Sequence, residues 1–348
     1  MKRPTLMQQI RAGLAALLRG HTAPQTPAKP APGPVVRTPP TGSPQPVTRR
    51  VSLIIYNPTV PSQGGRKLTE VMRWNDPDRL IAALIEDLRE ISHGYANYEI
   101  TERIEVDDFP LKADKYKYTA EHYLHVMRAG HGIHQPDAVD YHKFVADHQL
   151  VEKVRDGLID EVWAIMFPWG GFYESRMCGP ESFWCNAPPL PNTQAAGKRF
   201  VIMCFNYERG VGEMLESYGH RAESIMEWVF RGVPEPDNLW KRFIRYELTH
   251  PGQAEVGNIH FAPNSRQDYE WGNPAPVLSR WRTWQNYPDL TGKAEPADCR
   301  DWGDGDIREH HRWWFRLLPH VTGTVRVREM ANAMTNNWWE VIVDPNRV

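Results

Sequence analysis

The stretch FVIMCFNYERGVGEMLESYGHRAESIMEWVF, residues 200–230, combines two hydrophobic patterns. Phe200–Phe205 is apolar throughout, which is typical of a strand buried on both faces. From Val211 onward the apolar residues recur with the period of an α-helix. The stretch therefore predicts a core strand followed by an amphipathic helix, which is a repeating unit of α/β sheets.

The predicted helix has one apolar face and one acidic face. The apolar face contains Val211, Met214, Leu215, Tyr218, Ala222, Ile225, Met226 and Val229. The opposite face contains Glu213, Glu216, His220, Glu223 and Glu227. Because no Lys lies in this second row, the face is either a solvated surface or one wall of a functional site.

The segments before this stretch also alternate between strand and helix. Apolar runs at Val51–Tyr56 and Glu161–Phe167 predict buried strands, and Tyr98–Val106 has the polar–apolar alternation of a half-exposed strand. Asp76-Pro77-Asp78 predicts a helix start. We therefore expect an α/β fold, with a mainly parallel central sheet flanked by helices.

The chain after Pro234 is rich in loops and in tryptophan. Eight of the 14 Trp residues lie between Trp271 and Trp339. Since no linker separates this region from the sheet, we expect a Trp-rich, loop-rich carboxyl-terminal extension (233–348) that packs on a sheet core (49–232) within one domain, 49–348. Core filling is favoured for these Trp residues over platforms that stack on sugars or peptides.

The amino-terminal region differs in composition from the rest. Residues 1–21 predict a basic amphipathic or disordered segment, and residues 22–48 contain nine prolines and predict a linker. The first 69 residues carry ten Lys or Arg and no Asp or Glu, which leaves a charge of about −12 on the remainder. This argues against a nucleic-acid partner. Neither a clean signal peptide nor a transmembrane span is predicted, so export or a surface tether through the amino-terminal segment stays open.

Polar side chains follow the predicted strands at the edge where ligands gather in open α/β sheets. The loop after EVWAIMF contains Glu174 and Arg176, and the loop after FVIMCF contains Asn206, Glu208 and Arg209. The candidate catalytic residues are Glu174, Arg176, Glu208, Arg209 and Glu213. The alternative interpretation is a set of ordinary ion pairs between two loops.

The acidic face of the helix also suggests a metal site. Glu216 and His220 are four residues apart, so their side chains can converge, and Glu223 is one turn further on. His260, in GNIHFAPNS, is a candidate ligand from outside the helix. Glu216, His220, Glu223 and His260 would suit one divalent ion, most simply zinc. The zincin motif His-Glu-x-x-His is absent, so a solvated or Arg-paired face is the competing interpretation.

Two further features limit the function. Gly210-Val211-Gly212 lacks the third Gly and the Lys of phosphate-binding loops, so we expect no nucleotide cofactor. Cys178 and Cys185 lie seven residues apart and could pair in an oxidising compartment.

Several segments resemble a family of bacterial, often exported proteins of uncharacterised function. The resemblance covers most of residues 50–348 and is carried by EVWAIMFPWGGFYESRM, FNYERGVGEMLESYGHRAESIM, GNIHFAPNS and NNWWEVIVDPN. It implies that the region is one structural unit, and it implies no activity.

Three functions are compatible with these residues. The first is a metal-dependent, peptidase-like hydrolase, with its site between the helix face Glu213–Glu227 and the two loops. The second is a metal-free glycan hydrolase that uses two of Glu174, Glu208, Glu213 and Glu216 as acid and base. The third is a non-catalytic module that binds a glycan or peptide through the Trp-rich extension.

Overall fold

The computed structural model describes residues 36–37, 42–235, 237–326 and 333–348. Residues Val35–Val348 form one compact unit. Val36–Arg37 pairs antiparallel with Val325 and Arg326, so strand pairing begins inside the segment 22–48 that the sequence predicts to be a linker. The predicted basic segment 1–21 lies outside the described residues.

Short and long strands occur in the described residues. They are β1 (Val36–Arg37), β2 (Val47–Tyr56), β3 (Thr59–Val60), β4 (Arg66–Lys67), β5 (Ala96–Val106), β6 (Glu161–Met166), β7 (Ser175–Cys178), β8 (Phe200–Asn206), β9 (Val277–Ser279), β10 (Glu295–Ala297), β11 (His320–Arg326) and β12 (Met334–Asn337).

The α-helices are α1 (Leu68–Met72), α2 (Pro77–Ile91), α3 (Ala120–Ala129), α4 (Tyr141–Asp147), α5 (Leu150–Arg155), α6 (Val211–Val229), α7 (Leu239–Phe243), α8 (Ile307–Arg316) and α9 (Trp339–Val343). Short 3₁₀ helices occur at Pro61–Gln63, Gln194–Ala196, Trp281–Asn286, Cys299–Asp301 and Pro345–Arg347.

The central sheet has the strand order β5-β2-β6-β8-β7. The first four of these strands are parallel, and β7 runs antiparallel to β8 at one edge. Every residue of β6 is buried, because the strand is central and both of its faces are covered. The predicted α/β fold with a mainly parallel central sheet is therefore confirmed.

Helix α6 is enclosed by the sheet and by the carboxyl-terminal extension. Of its predicted apolar face, Met214, Leu215, Tyr218, Ala222, Ile225 and Met226 are at most 1% exposed. Its other side approaches the extension closely: a Cβ added at Gly219 would lie 2.5 Å from Cδ1 of Ile259, and one added at Gly212 would lie 2.5 Å from Cγ2 of Ile307. The acidic row of α6 therefore faces protein along much of its length.

Ion pairs join the extension to the sheet core. The buried carboxylate of Asp87, on α2, accepts hydrogen bonds from the Arg308 guanidinium of α8 at 2.7 and 3.0 Å. The guanidinium of Arg221, on α6, donates to the Glu161 carboxylate of β6 and to the carbonyls of Ile342 and Val343. The first pair fixes α8 relative to α2, and the Arg221 contacts fix α9 relative to α6 and β6.

Tryptophan fills the interior of the extension. None of the eight late Trp side chains, from Trp271 to Trp339, is more than 8% exposed. Their rings pack on one another and on Phe243, whose centroid lies 4.9 Å from that of Trp284. These eight Trp side chains are therefore core residues, as predicted, and their rings present no open surface for stacking on a ligand.

Two smaller observations complete the fold. Cys178 and Cys185 are both buried, and each is a free thiol. Among the described helices, none has both the length and the apolar character needed to cross a membrane.

Candidate metal centre and adjoining cavity

Helix α6 places two of the candidate ligands one turn apart. The Nε2 atom of His220 lies 3.8 Å from Oε1 of Glu216. Glu216 is only 5% exposed, and its Oε1 also accepts a hydrogen bond from the Tyr269 hydroxyl at 3.1 Å. The expected i, i+4 convergence is therefore present, and it occurs inside the protein.

A tight loop of the extension brings the third ligand. The Asn258 side chain accepts hydrogen bonds from the backbone N–H groups of His260 and Phe261, which closes the turn. Gly257 has φ +86°, and a Cβ there would lie 2.1 Å from the Phe261 carbonyl oxygen, so only glycine fits. The Trp314 indole donates to the Gly257 carbonyl at 3.0 Å and anchors the loop to α8.

His311 provides a second anchor for the loop. Its two ring nitrogens lie 3.0 Å from the Gly212 carbonyl oxygen and 3.2 Å from that of Ile259. Burial lowers the pKa of His311 to about 4, so the ring is neutral near pH 7 and donates to one carbonyl at a time. It bridges the start of α6 and the loop that carries His260.

The three candidate ligand atoms converge on one point. His260 Nε2 lies 3.0 Å from both His220 Nε2 and Glu216 Oε1. All three residues offer ligand atoms within 4.8 Å of one another. Atoms bound at 2.0–2.1 Å to a tetrahedral zinc ion lie about 3.3–3.4 Å apart, and the observed distances of 3.0, 3.0 and 3.8 Å bracket that value. This Glu216–His220–His260 triad could hold a metal ion.

Carboxylates orient both imidazole rings. His220 Nδ1 lies 3.0 Å from Glu223 Oε2, and His260 Nδ1 lies 3.1 Å from Asp268 Oδ1. The other oxygen of Glu223 accepts from the Ile259 backbone N–H at 3.1 Å, so Glu223 also fixes the loop. Carboxylates on the outer nitrogens of metal-binding histidines are a usual feature of such sites, because they set the tautomer and the ring orientation.

The charges of the triad stabilise one another. Burial alone would raise the pKa of Glu216, but hydrogen bonds from His220 and His260 outweigh it and hold this pKa far below its usual value. Burial alone would lower the pKa of His220, yet the carboxylates of Glu174, Glu216 and Glu223 raise it well above the usual value. The site therefore favours positive charge strongly.

A cavity of about 170 Å³ adjoins the triad at the carboxyl ends of β6 and β8. Glu216 belongs to both the triad and the cavity wall. The cavity is lined by Asp137, Met166, Phe167, Pro168, Trp169, Gly170, Gly171, Phe172, Glu174, Cys204, Phe205, Asn206, Arg209, Glu213, Met214, Glu216 and Ser217.

The structure brings some of the predicted catalytic residues together. Glu174, Arg209 and Glu213 line the cavity, and Glu174 Oε2 lies 3.8 Å from His220 Nε2. The Asn186 side-chain amide donates to that same oxygen at 2.5 Å. Glu223 contacts His220 through Nδ1, so it lies behind this ring instead of beside the triad.

Two of the predicted catalytic residues, Arg176 and Glu208, are not among those that line the cavity. Arg176 lies on β7 opposite Ile202; its guanidinium stacks 4.6 Å from the Tyr141 ring centroid and donates to the Pro188 carbonyl. Glu208 is exposed at the tip of its loop and lies 3.7 Å from the Arg209 guanidinium. Both residues contribute to loop structure.

Asp268 and Tyr269 were missed by the sequence analysis. Asp268 contacts the outer nitrogen of His260, and Tyr269 donates to Glu216. The one feature of the sequence that could have indicated them is their position, eight and nine residues after His260, in a loop with no periodic pattern.

Comparison of the chain with known protein families, with curated proteins and with solved structures finds no match. The ligand types themselves are informative. Two imidazoles and one carboxylate form the ligand set of many catalytic zinc sites, in which a fourth position stays open to water or substrate.

Proposed function

We propose that the protein is a metal-dependent hydrolase of the peptidase type, with a zinc ion bound by Glu216, His220 and His260. The observation that carries the proposal is the convergence of Glu216 Oε1, His220 Nε2 and His260 Nε2 at 3.0, 3.0 and 3.8 Å. The adjoining cavity, with Glu174 and Arg209 in its wall, supports a catalytic role over a purely structural one.

The hydrogen bonds around the two rings favour a cation at the triad. If each Nδ1 donates its proton to the carboxylate that faces it, each neutral ring presents a lone pair at Nε2. Two lone pairs and a carboxylate oxygen then face one another without a proton between them. Such an arrangement needs a positive charge at its centre. Without a metal, protons on the ring nitrogens provide it, and a divalent metal ion would displace them.

The residues of the cavity supply the remaining chemistry of amide hydrolysis. When bound, the zinc ion would polarise the substrate carbonyl and lower the pKa of a water molecule. Glu174 takes a proton from the attacking water and passes it to the leaving amine, as the C–N bond breaks and a carboxylic acid forms. Arg209 stabilises the negative charge that develops on the carbonyl oxygen.

Metal analysis of the purified full-length protein tests this proposal. We expect close to one equivalent of zinc, loss of the metal in His220→Ala, and retention in the control variant His125→Ala, whose side chain is exposed on α3. Zinc-loaded protein should cleave members of a mixed peptide library detected by mass spectrometry. If the wild type binds no zinc, manganese or iron, and His220→Ala is indistinguishable from it, the proposal is wrong.

A metal-free glycan hydrolase is the second candidate, since Glu174, Glu213 and Glu216 line one cavity. The cavity is smaller than the 300–1,000 Å³ typical of ligand pockets. The late Trp rings, which would form sugar platforms or contacts of a non-catalytic module, are buried. Glycan hydrolysis that persists in the presence of a chelator would favour this second function.

A further inference from the structure

The cavity beside the triad has mainly negative charge in its wall. Its charged residues are Asp137, Glu174, Glu213, Glu216 and Arg209. Asp137 is already neutralised by the buried Lys112, whose Nζ lies 2.5 Å from its Oδ1. Glu216 is engaged by the two histidines. Glu174 Oε2 lies 3.8 Å from His220 Nε2, so this ring shares part of its charge. Glu213 is therefore the carboxylate with most charge to offer a substrate, and Glu174 is the second.

Neutral donors also hold Glu174 and Glu213 in place. Glu174 Oε2 accepts from the Asn186 amide, and Glu213 Oε2 accepts from the Gly210 backbone N–H at 3.0 Å. Within the part of the chain that the structure describes, no Lys or Arg nitrogen forms an ion pair with either carboxylate. Each keeps one oxygen that neither of these bonds uses, and both residues line the cavity.

We propose that this cavity binds the primary ammonium group of the substrate, and that Glu213, with Glu174, recognises it. This inference rests on the proposed function and names its substrate class: amides and peptides that carry a free amine on the residue whose carbonyl group is hydrolysed. The amine comes from either the amino terminus of the chain or a lysine side chain. Charge-assisted hydrogen bonds of this kind are the strong ones in proteins.

The apolar part of the wall fits the same substrate. Met166, Phe172, Phe205 and Met214 line the cavity beside the carboxylates. At about 170 Å³, the volume suits one residue better than a segment of polymer. The site would thus bind the end of a chain or a single side chain, with hydrocarbon against the apolar wall and ammonium against the glutamates.

Calorimetric binding to the full-length protein, with its zinc content measured in parallel, tests the inference. The probes are L-leucinamide, Nα-acetyl-L-lysinamide and Nα-acetyl-L-leucinamide, which carry a terminal amine, a side-chain amine and no amine. We expect at least one amine-bearing probe to bind about tenfold or more tightly than Nα-acetyl-L-leucinamide. Which of the two binds identifies the source of the amine.

The variant Glu213→Gln keeps the hydrogen bond from Gly210, because the glutamine carbonyl can accept it. It should lose the preference for the amine and keep its zinc, whereas Glu227→Gln, on the exposed end of the same helix, should keep both. Equal binding of the three probes, binding of none, or a preference that survives in Glu213→Gln would overturn the inference. An amine preference in a protein without metal would contradict only the proposed hydrolase.

Discussion

His260 Nε2 lies 3.0 Å from His220 Nε2, although the two residues are 40 positions apart and belong to different parts of the fold. His220 comes from the helix that follows the core strand β8, and His260 from a turn of the extension. Neither segment forms the triad alone. The packing of the extension on α6, at Gly219 and Ile259, is therefore a condition for the site.

Replacing Asp268 should weaken metal binding without changing the ligands. Its Oδ1 lies 3.1 Å from His260 Nδ1, so Asp268→Ala removes the group that fixes this ring. We expect a 10–100-fold lower zinc affinity, measured by competition with a chromogenic chelator. Asp147→Ala, which removes a half-exposed carboxylate paired with Lys143, is the matched control. Zinc affinity equal to that of the wild type would show that Asp268 does not orient His260.

Glu174→Gln should separate catalysis from metal binding. The glutamine carbonyl can still accept the hydrogen bond from Asn186, but it cannot take a proton from water. We expect peptide-cleavage rates to fall about 100-fold or more while the zinc content stays at the wild-type level. Glu227→Gln should change neither quantity. Loss of zinc in Glu174→Gln would instead identify Glu174 as a metal ligand, since its Oε2 lies only 3.8 Å from His220 Nε2.

Two glycines offer a matched test of the turn that carries His260. Gly252 and Gly257 have φ values of +70° and +86°, but only a Cβ at Gly257 meets another group, the Phe261 carbonyl oxygen at 2.1 Å. Gly252→Ala should lose about 1 kcal/mol of unfolding free energy from backbone strain alone and keep its zinc affinity. Gly257→Ala should lose more stability and also bind zinc more weakly, because the turn must open. Equal effects in both variants, by urea unfolding and zinc titration, would contradict this account.

The sequence predicts the elements that depend on local pattern. The apolar runs at β2, β6 and β8 and the helical period of α6 appear where expected, because hydrophobic periodicity is a local property of the chain. The spacing of Glu216 and His220 on α6 follows for the same reason. His260 could be named as a candidate from its residue type, but its position depends on a turn and on the packing of the whole extension.

Two of the predicted catalytic residues lie away from the cavity for reasons of tertiary structure. Arg176 was expected at the carboxyl edge of the sheet, yet it lies on the short antiparallel strand β7, which runs back along β8 and has no clear hydrophobic pattern. Glu208 was expected in the site, but the buried Tyr207 ring beside it anchors the loop and leaves Glu208 outside.

The final prediction concerns stability at the amino-terminal end of β6, at the opposite end of this strand from the cavity. Asp160, just before β6, accepts hydrogen bonds from the Arg50 backbone and guanidinium at 3.0 Å and from Lys198 at 3.1 Å. Burial alone would raise the pKa of Asp160, but these partners outweigh it and hold the pKa well below its usual value. Asp160→Asn should therefore destabilise the fold by about 1–2 kcal/mol at pH 7, since Arg50 is partly exposed.

The pH dependence of this loss of stability follows from the direction of the Asp160 pKa shift, which is downward. A carboxylate whose pKa is lower in the folded protein stabilises it above the unfolded pKa of about 4, and this contribution disappears as the pH falls through the folded pKa. The difference in unfolding free energy between wild type and Asp160→Asn should thus be constant from pH 7 to about 5 and shrink below about 4. Urea unfolding across this range measures it, with Asp156→Asn, which alters an exposed carboxylate, as a control that should show no comparable loss of stability. A difference that grows on acidification would mean that the Arg50–Asp160 pair does not hold β2 against β6.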